Sequence, residues 1–338
     1  MRAFILAHWY RARLSWFSVL LLPLAWVFRV IIFLRQKFIQ SHRCALPVII
    51  VGNITVGGTG KTPFIIWLAD FLSRQGFKPG ILTRGVGGVE PKLPHRVLTS
   101  DSVTAIGDEA KLLSIRCHAP IIICQNRLAG ARALSQTECD IIICDDGLQH
   151  YQLQRDIEIL MVDSQRKFGN QQLLPAGPLR EPVTRLKTVD LVVSHPLAEA
   201  DQYAMHWLCH DLVSLTQGHK IPLQQLAHKS VIAMAGIGHP QRFFDVLKQH
   251  HLQIQPKIFP DHYAYQRQDL DFDSQLPVIM TQKDAVKCQT FENLSNNLWY
   301  LPVSVSLPQT FENALMNLIQ KKCHNHVLNK EKKEEGLP

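Results

Sequence analysis

The stretch Val48-Ile49-Ile50-Val51-Gly52-Asn53-Ile54-Thr55-Val56-Gly57-Gly58-Thr59-Gly60-Lys61-Thr62-Pro63 decides how the rest of the chain is read. Its opening run of β-branched apolar residues, without alternation, predicts a strand buried on both faces. The glycines that follow let the backbone fold tightly and point N–H groups inward. The ending Gly60-Lys61-Thr62 matches a phosphate-binding loop, in which the lysine reaches nucleotide β- and γ-phosphates and the threonine hydroxyl ligates Mg²⁺. The strict pattern wants glycine where this chain has Thr55. Pro63 falls in the first turn of the predicted helix, where a missing N–H costs nothing. Thr55, Val56, Gly57, Gly58, Thr59, Gly60, Lys61 and Thr62 are therefore candidate nucleotide contacts. A Gly-rich turn with a surface lysine is the plainer reading, but it accounts for neither the strand before nor the helix after.

A phosphate-loop fold needs an acidic end on a second strand. Ile141-Ile142-Ile143-Cys144-Asp145-Asp146-Gly147-Leu148-Gln149-His150 supplies one, at the carboxyl edge where open α/β sheets bind ligands. Asp145 or Asp146 is expected to hold Mg²⁺, directly or through water, together with Thr62. Two turn aspartates are the alternative, disfavoured because paired acids at a strand end are costly without a cation.

Short apolar runs recur downstream at Pro79–Thr83, Pro120–Cys124, Ile141–Cys144, Glu158–Val162, Leu191–Ser194, Val231–Ala235, Val278–Thr281 and Leu298–Pro302. Helical stretches at Thr62–Gln75, Glu109–Arg116 and Arg127–Ser135 alternate with them. This alternation predicts an α/β fold with a mostly parallel, P-loop NTPase-like sheet. A polar stretch from about Leu215 to Lys229 separates the last runs into a second, smaller α/β lobe. The expected organisation is an N-terminal segment 1–46, a phosphate-loop domain 47–222, a smaller lobe 223–322 and a flexible tail 323–338.

The chain has 338 residues, 46% hydrophobic and 19% charged, which excludes a disordered or low-complexity protein. Its net charge of +8 favours anionic partners: nucleic acid, phosphate esters or an anionic membrane surface. No recognition motif or basic–aromatic interleaving supports nucleic acid. The eight cysteines form no C-x-x-C pair, and several, such as Cys124 and Cys144, lie inside apolar runs, as small buried hydrophobes do. Cys323-His324-Asn325-His326 is a weak metal candidate in a polar tail.

From Leu14 to Phe28 no charge occurs, and Arg2, Arg11, Arg13, Arg29, Arg35, Lys37 and Arg43 precede, interrupt or follow the apolar segment. A spanning helix needs about 20 apolar residues, so this run is short, and Pro23 weakens a straight helix. A cleaved signal peptide, a single span and a helix packed on the soluble core are alternatives. A helix lying in the membrane interface, with Trp9, Trp16 and Trp26 at headgroup level, fits best.

Taken together, the motifs resemble the tetraacyldisaccharide 4′-kinase family, the lipid A 4′-kinases of Gram-negative bacteria. The likeness covers nearly the whole chain. Besides the phosphate loop it rests on Leu82-Thr83-Arg84-Gly85, Gly107-Asp108-Glu109-Ala110, Asp145-Asp146-Gly147-Leu148-Gln149-His150 and Leu174-Pro175-Ala176-Gly177-Pro178-Leu179-Arg180-Glu181-Pro182. Phe259-Pro260-Asp261-His262 and Thr281-Gln282-Lys283-Asp284-Ala285-Val286-Lys287 complete it. The family has Thr or Ser where Thr55 stands, and Glu where this chain has Gln282.

The resemblance implies transfer of the γ-phosphate of ATP to the 4′-hydroxyl of an acylated glucosamine disaccharide 1-phosphate, with Mg²⁺, at the cytoplasmic face of the bacterial inner membrane. It implies two lobes, with Asp108 as base for the attacking hydroxyl, paired with His262; a helix N-cap is the alternative role for Asp108. Lys61 neutralises phosphate charge. Arg84 and Arg127 either clamp an anionic group or fix loops by salt bridges. Glu109, Arg180 and Glu181 are placed on the substrate side. Gln149 and His150 either orient substrate or nucleotide or cap a turn. A partition-type membrane-bound P-loop ATPase is the competing function, and a non-catalytic nucleotide-binding scaffold a second one.

Overall fold

The computed structural model describes residues 2–11, 13–89, 93–272 and 275–334, and among these the side chains from Phe4 to Cys323. The chain forms two compact units. The first is Met1–Arg84, Ala119–His206 and Ser306–Pro338; the second is Gly85–His118 and Trp207–Val305. The units are discontinuous, unlike the linear partition read from sequence. Residues 85–118 join the second unit because the Asp108–Arg116 helix packs on the Gln282–Cys288 helix.

The first unit is built on strands β1 (Val48–Gly52), β2 (Pro79–Thr83), β3 (Ile121–Ile123), β4 (Ile141–Asp145), β5 (Ile157–Asp163), β6 (Leu191–His195) and β7 (Tyr203–Ala204). They lie in the order β3-β2-β4-β1-β5-β6-β7, and every pairing is parallel. All residues of β1, β2, β4 and β5 are buried, which is why these strands are predominantly apolar without polar alternation, Glu158 of β5 excepted. The Lys61–Arg74 helix closes over the sheet with Phe64, Leu68 and Leu72, four residues apart on one face. Each such side chain contributes about 1.5–3 kcal/mol by leaving water. The register pairs Val51 of β1 with Asp145 of β4. The phosphate loop and the acidic pair therefore leave adjacent strands at the same carboxyl edge.

The N-terminal segment is three helices, not one: Arg2–Trp9, Trp16–Leu20 and Leu22–Phe38. Ser15 caps the second through the Ser18 amide, and Pro23 sits in the first turn of the third, where its missing N–H is harmless. Among the described residues, no helix is long and apolar enough to cross a membrane. The third helix buries only a narrow stripe, Ala25 and Ile32, with Phe28 half-buried between them. Trp26, Val27, Val30, Ile31, Phe33 and Phe38 remain exposed. Trp16 is 70% exposed and Trp26 62%, but Trp9 turns inward and donates its indole N–H to the Pro175 carbonyl at 3.0 Å. The expectation that Trp9 stands at headgroup level is thereby corrected.

The second unit holds β8 (Asp211–Ser214), β9 (Lys220–Pro222), β10 (Ser230–Ala235), β11 (Gln253–Ile258), β12 (Val278–Thr281) and β13 (Leu298–Leu301). Their order is β9-β8-β13-β12-β10-β11; β13, β12, β10 and β11 run parallel, and the β8–β9 hairpin adds an antiparallel edge. Val231, Ala233 and Ala235 pack with Phe243, Phe244 and Leu247 in one cluster, while Ile232 and Met234 pack with Tyr265 and Met280 in another. The two-residue alternation thus fills both faces of the sheet.

The Gln309–Glu334 helix carries the backbone through most of the stretch read as a tail; residues 335–338 lie outside the described residues. Cys323 is buried, and burial pushes its thiol up to about 12. The side chains of His324 and His326 lie outside the described residues, so that metal candidate has no structural account. All eight cysteines are free, and every one but Cys117 is buried.

Candidate active site

In the first unit the chain turns from β1 into the Lys61–Arg74 helix through Asn53–Gly60. Gly57 and Gly60 take positive φ, +107° and +85°, which an L side chain rarely adopts. A Cβ built on Gly58 would meet no atom within 4 Å, so the loop's outer side is open. The first amides of the helix, at Lys61 and Thr62, have no intrahelical acceptor and form an anion-binding end. Thr59 Oγ1 is buried without a hydrogen-bond partner. The sequence places Thr55 and Val56 among the ligand contacts, but the structure ties both down. Thr55 bridges Leu179, and the Val56 N–H donates to the Pro178 carbonyl at 2.9 Å. Both contacts anchor the start of the loop.

Lys61 Nζ lies 3.2 Å from Asn53 Oδ1 and 3.3 Å from Asp146 Oδ1. Arg180 donates to the other Asp146 oxygen at 2.8 Å. Burial alone would raise the Asp146 carboxyl, but the Lys61 and Arg180 charges outweigh it and hold it far below the usual carboxylate range. Asp146 itself sits at φ +50°, a conformation that costs a non-glycine residue energy and is concentrated at functional sites. Asp145 is buried and accepts from Thr83 Oγ1 at 3.0 Å. The two aspartates, neighbours in sequence, thus have separate partners.

Arg127 is 3% exposed and donates to the carbonyls of Cys124 (2.6 Å) and Asp145 (3.0 Å). It ties two strand ends together through these carbonyls. Arg84 is exposed at the end of β2. Gln149 donates to the Asn53 carbonyl (3.2 Å) and to Glu181 (2.7 Å). Glu181 is fully buried, and Gln149, Arg185 and Gln36 engage its oxygens. Burial holds its carboxyl above the usual range despite these donors. Through the 2.7 Å hydrogen bond it supports the Gln149 amide. Burial and the nearby Arg127 charge depress His150 to about 4, so its ring is neutral at neutral pH.

In the second unit, Gly107 precedes the Asp108–Arg116 helix at φ +82°, and a Cβ there would stand 2.3 Å from the Val86 carbonyl oxygen. Only glycine fits, and the turn delivers Asp108 to the helix start. The Asp108 side chain makes no cap; Gly107 occupies that position. Both Asp108 oxygens lie 3.1 Å from His262 Nδ1, which must donate because a carboxylate only accepts. Lys283 and Lys287 stand 3.7 Å from the same carboxylate. Burial tends to raise Asp108, yet the His262 hydrogen bond and the Lys283 charge hold it below its ordinary value. The hydrogen bond to Asp108 correspondingly raises His262. Glu109 accepts from Lys283 at 2.9 Å, so it faces a lysine within the unit. Gln282 accepts from Arg116 at 2.6 Å, where a glutamate would form an ion pair.

Three functional side chains escaped the sequence reading. Asn53 holds Lys61, and Lys283 and Lys287 flank Asp108. The lysines are four residues apart on a short helix, and that spacing was the available signal. Among the described residues, no group of three or more His, Cys, Asp or Glu side chains is arranged to hold a metal by itself.

The family model described as tetraacyldisaccharide-1-P 4′-kinase matches residues 17–320. A tetraacyldisaccharide 4′-kinase of Nitrosococcus oceani is 44% identical over 323 residues, covering 94% of each chain. One from Coxiella burnetii is 38% identical over 97% of this chain and 98% of its own. Among solved structures, the crystal structure of LpxK from Aquifex aeolicus in complex with ATP aligns with a TM-score of 0.72 at 28% identity, covering 89% of this chain and 99% of that one.

Proposed function

The chain belongs to the tetraacyldisaccharide 4′-kinase family, and from that premise we propose that it moves the γ-phosphate of ATP to the 4′-hydroxyl of a tetraacylated glucosamine disaccharide 1-phosphate, giving lipid IVA. The observation that carries this reading is the phosphate loop. Lys61 is pre-aimed by Asn53 and Asp146 at the mouth of an open, glycine-lined turn. Phosphoryl transfer needs positioning and charge neutralisation more than covalent help. The Gly57–Thr62 amides and Lys61 bind the β- and γ-phosphates, and Arg180, already at the acidic pair, adds a second positive charge.

Mg²⁺ fits the residues present. It takes one or two carboxylates, waters and substrate phosphates in place of an all-protein cage, and Thr62 in the first turn of the Lys61–Arg74 helix, with Asp145 and Asp146 at the carboxyl end of the adjacent strand, offers that partial set. When bound, the ion supplies neutralisation of charge on the phosphate oxygens. Asp108 accepts the acceptor hydroxyl's proton. His262, Lys283 and Lys287 keep its carboxylate ionised and oriented for that step. Arg84, exposed, binds an anionic group of the substrate.

The exposed apolar faces of the Trp16–Leu20 and Leu22–Phe38 helices, with Arg29, Arg35 and Lys37 among them, support docking onto an anionic membrane surface at the cytoplasmic side of the inner membrane. An acceptor with four acyl chains stays in the bilayer, so an enzyme lying there meets it by diffusion in two dimensions. The test is mass spectrometry of the acceptor lipid after incubation with ATP and Mg²⁺. The expected product is heavier by one phosphate; acceptor recovered unchanged while ATP is hydrolysed would refute the kinase reading in favour of an ATPase.

A further inference from the structure

The N-terminal helices do more than expose an apolar face: they reach the phosphate loop. At the end of the first helix the Tyr10 hydroxyl donates to the Val56 carbonyl at 3.2 Å. The Arg166 guanidinium lies over the Tyr10 ring, 5.2 Å from its centroid. The same guanidinium comes within 3.8 Å of the point where a Gly57 Cβ would stand. One residue earlier, the Trp9 indole holds the Pro175 carbonyl, and the Trp9 carbonyl accepts from the Asn170 amide at 2.8 Å. Asn170 Nδ2 in turn donates to Ser18 Oγ at 3.1 Å and to the Ala176 carbonyl at 2.9 Å.

The segment thus gripped, Asn170–Arg180, is the one that fastens the loop from its other side. Pro178 accepts the Val56 amide, Leu179 bridges Thr55, and the Arg180 amide donates to the Ile54 carbonyl at 2.7 Å. Val56 is therefore clamped at both ends of one peptide-bonded residue: its N–H by Pro178 and its carbonyl by Tyr10. The next residue is Gly57, whose positive φ begins the turn. A glycine-rich turn has many backbone states, and the residue that enters it decides how few are populated before ligand arrives.

We infer that Tyr10 is a positioning residue for the nucleotide: its hydroxyl, steadied by Arg166, fixes the entry to the phosphate loop, so that the N-terminal helices form part of the ATP site. Burial pushes the Tyr10 phenol up from its ordinary value, so it remains a donor throughout the working pH range. The inference rests on the nucleotide reading of the loop. It gives the N-terminal segment a role that does not depend on lipid.

The test uses the full chain in detergent micelles, with Tyr10→Phe removing a single oxygen from a ring that otherwise packs unchanged. Binding of a fluorescent ATP analogue with Mg²⁺ is expected to weaken roughly three- to tenfold, the scale of one neutral hydrogen bond. The KM for ATP should rise by the same factor, with kcat at saturating ATP and the KM for the lipid acceptor held within about twofold. A merely structural tyrosine would instead lower the melting temperature and the active fraction and leave the KM for ATP alone. Tyr10→Phe that binds the analogue as tightly as the parent overturns the inference while leaving the kinase reading intact. A parent chain that binds no nucleotide would overturn both. Trp9→Phe serves as a second variant, expected to weaken nucleotide binding through Pro175 and the segment behind the loop, which supports the wider role of the N-terminal helices.

Discussion

Replacing His262 by alanine separates orientation of the base from its ionisation. His262 Nδ1 shares one proton between two Asp108 oxygens at 3.1 Å, and Lys283 and Lys287 stand 3.7 Å from the same carboxylate. A hydrogen bond to a charged group contributes about 1.5–3 kcal/mol net. At about 1.4 kcal/mol per factor of ten, H262A should lose about 10- to 100-fold in kcat. The two lysines remain, so Asp108 stays ionised near neutral pH and residual activity persists. The pH dependence carries the sign. Asp108 is held below its ordinary value in part by His262, and a base works only when deprotonated. Activity therefore fails as pH falls through the Asp108 pKa, and H262A should move that acid limb upward. The assay is initial rate of lipid phosphorylation at saturating ATP and acceptor, from about pH 5 to about pH 9. An H262A rate within twofold of the parent, with an unmoved acid limb, would refute the orientation argument.

Other expectations follow from the same contacts. Lys61→Ala removes the charge held between Asn53 and Asp146 and should abolish detectable ATP-analogue binding in a fluorescence titration; retained binding would sink the phosphate-loop assignment. His262 has a raised folded-state pKa, so its stabilising contribution is complete below its unfolded value of about 6.5 and fades as pH rises through the folded one. The melting-temperature gap between parent and H262A should accordingly narrow on going from acid to alkaline buffer. Gln282→Glu turns the Arg116 hydrogen bond into an ion pair between partly exposed groups and should raise stability by no more than about 1 kcal/mol in urea unfolding. Trp26→Asp with Phe33→Asp places charges on the exposed apolar face and should abolish flotation with anionic vesicles while leaving ATP-analogue binding unchanged.

The parts of the fold legible in the sequence were those whose burial is two-sided. Each apolar run read as a strand is a strand, because a parallel strand covered on both faces leaves no room for polar alternation. Gln253–Ile258 escaped because it is an edge strand, largely exposed, whose polar residues carry no such pattern. The phosphate loop and the acidic strand end were legible because their chemistry is local. The Asp108–His262 pair was not, since its members are 154 residues apart and no spacing connects them; only the family likeness did. Discontinuity of the units was invisible for the same reason. The internal partners of Glu181 and Arg127 were not legible either, because a charged residue in a motif carries no sign of its own burial.

The most direct test of the central claim follows the γ-phosphate itself. The full chain is incubated with γ-labelled ATP, Mg²⁺ and the tetraacylated disaccharide 1-phosphate in micelles, and the label is partitioned between lipid and water. Label in the lipid fraction, as a monoester at the 4′-position and absent with Lys61→Ala, is the predicted result. Label recovered only as inorganic phosphate would contradict it.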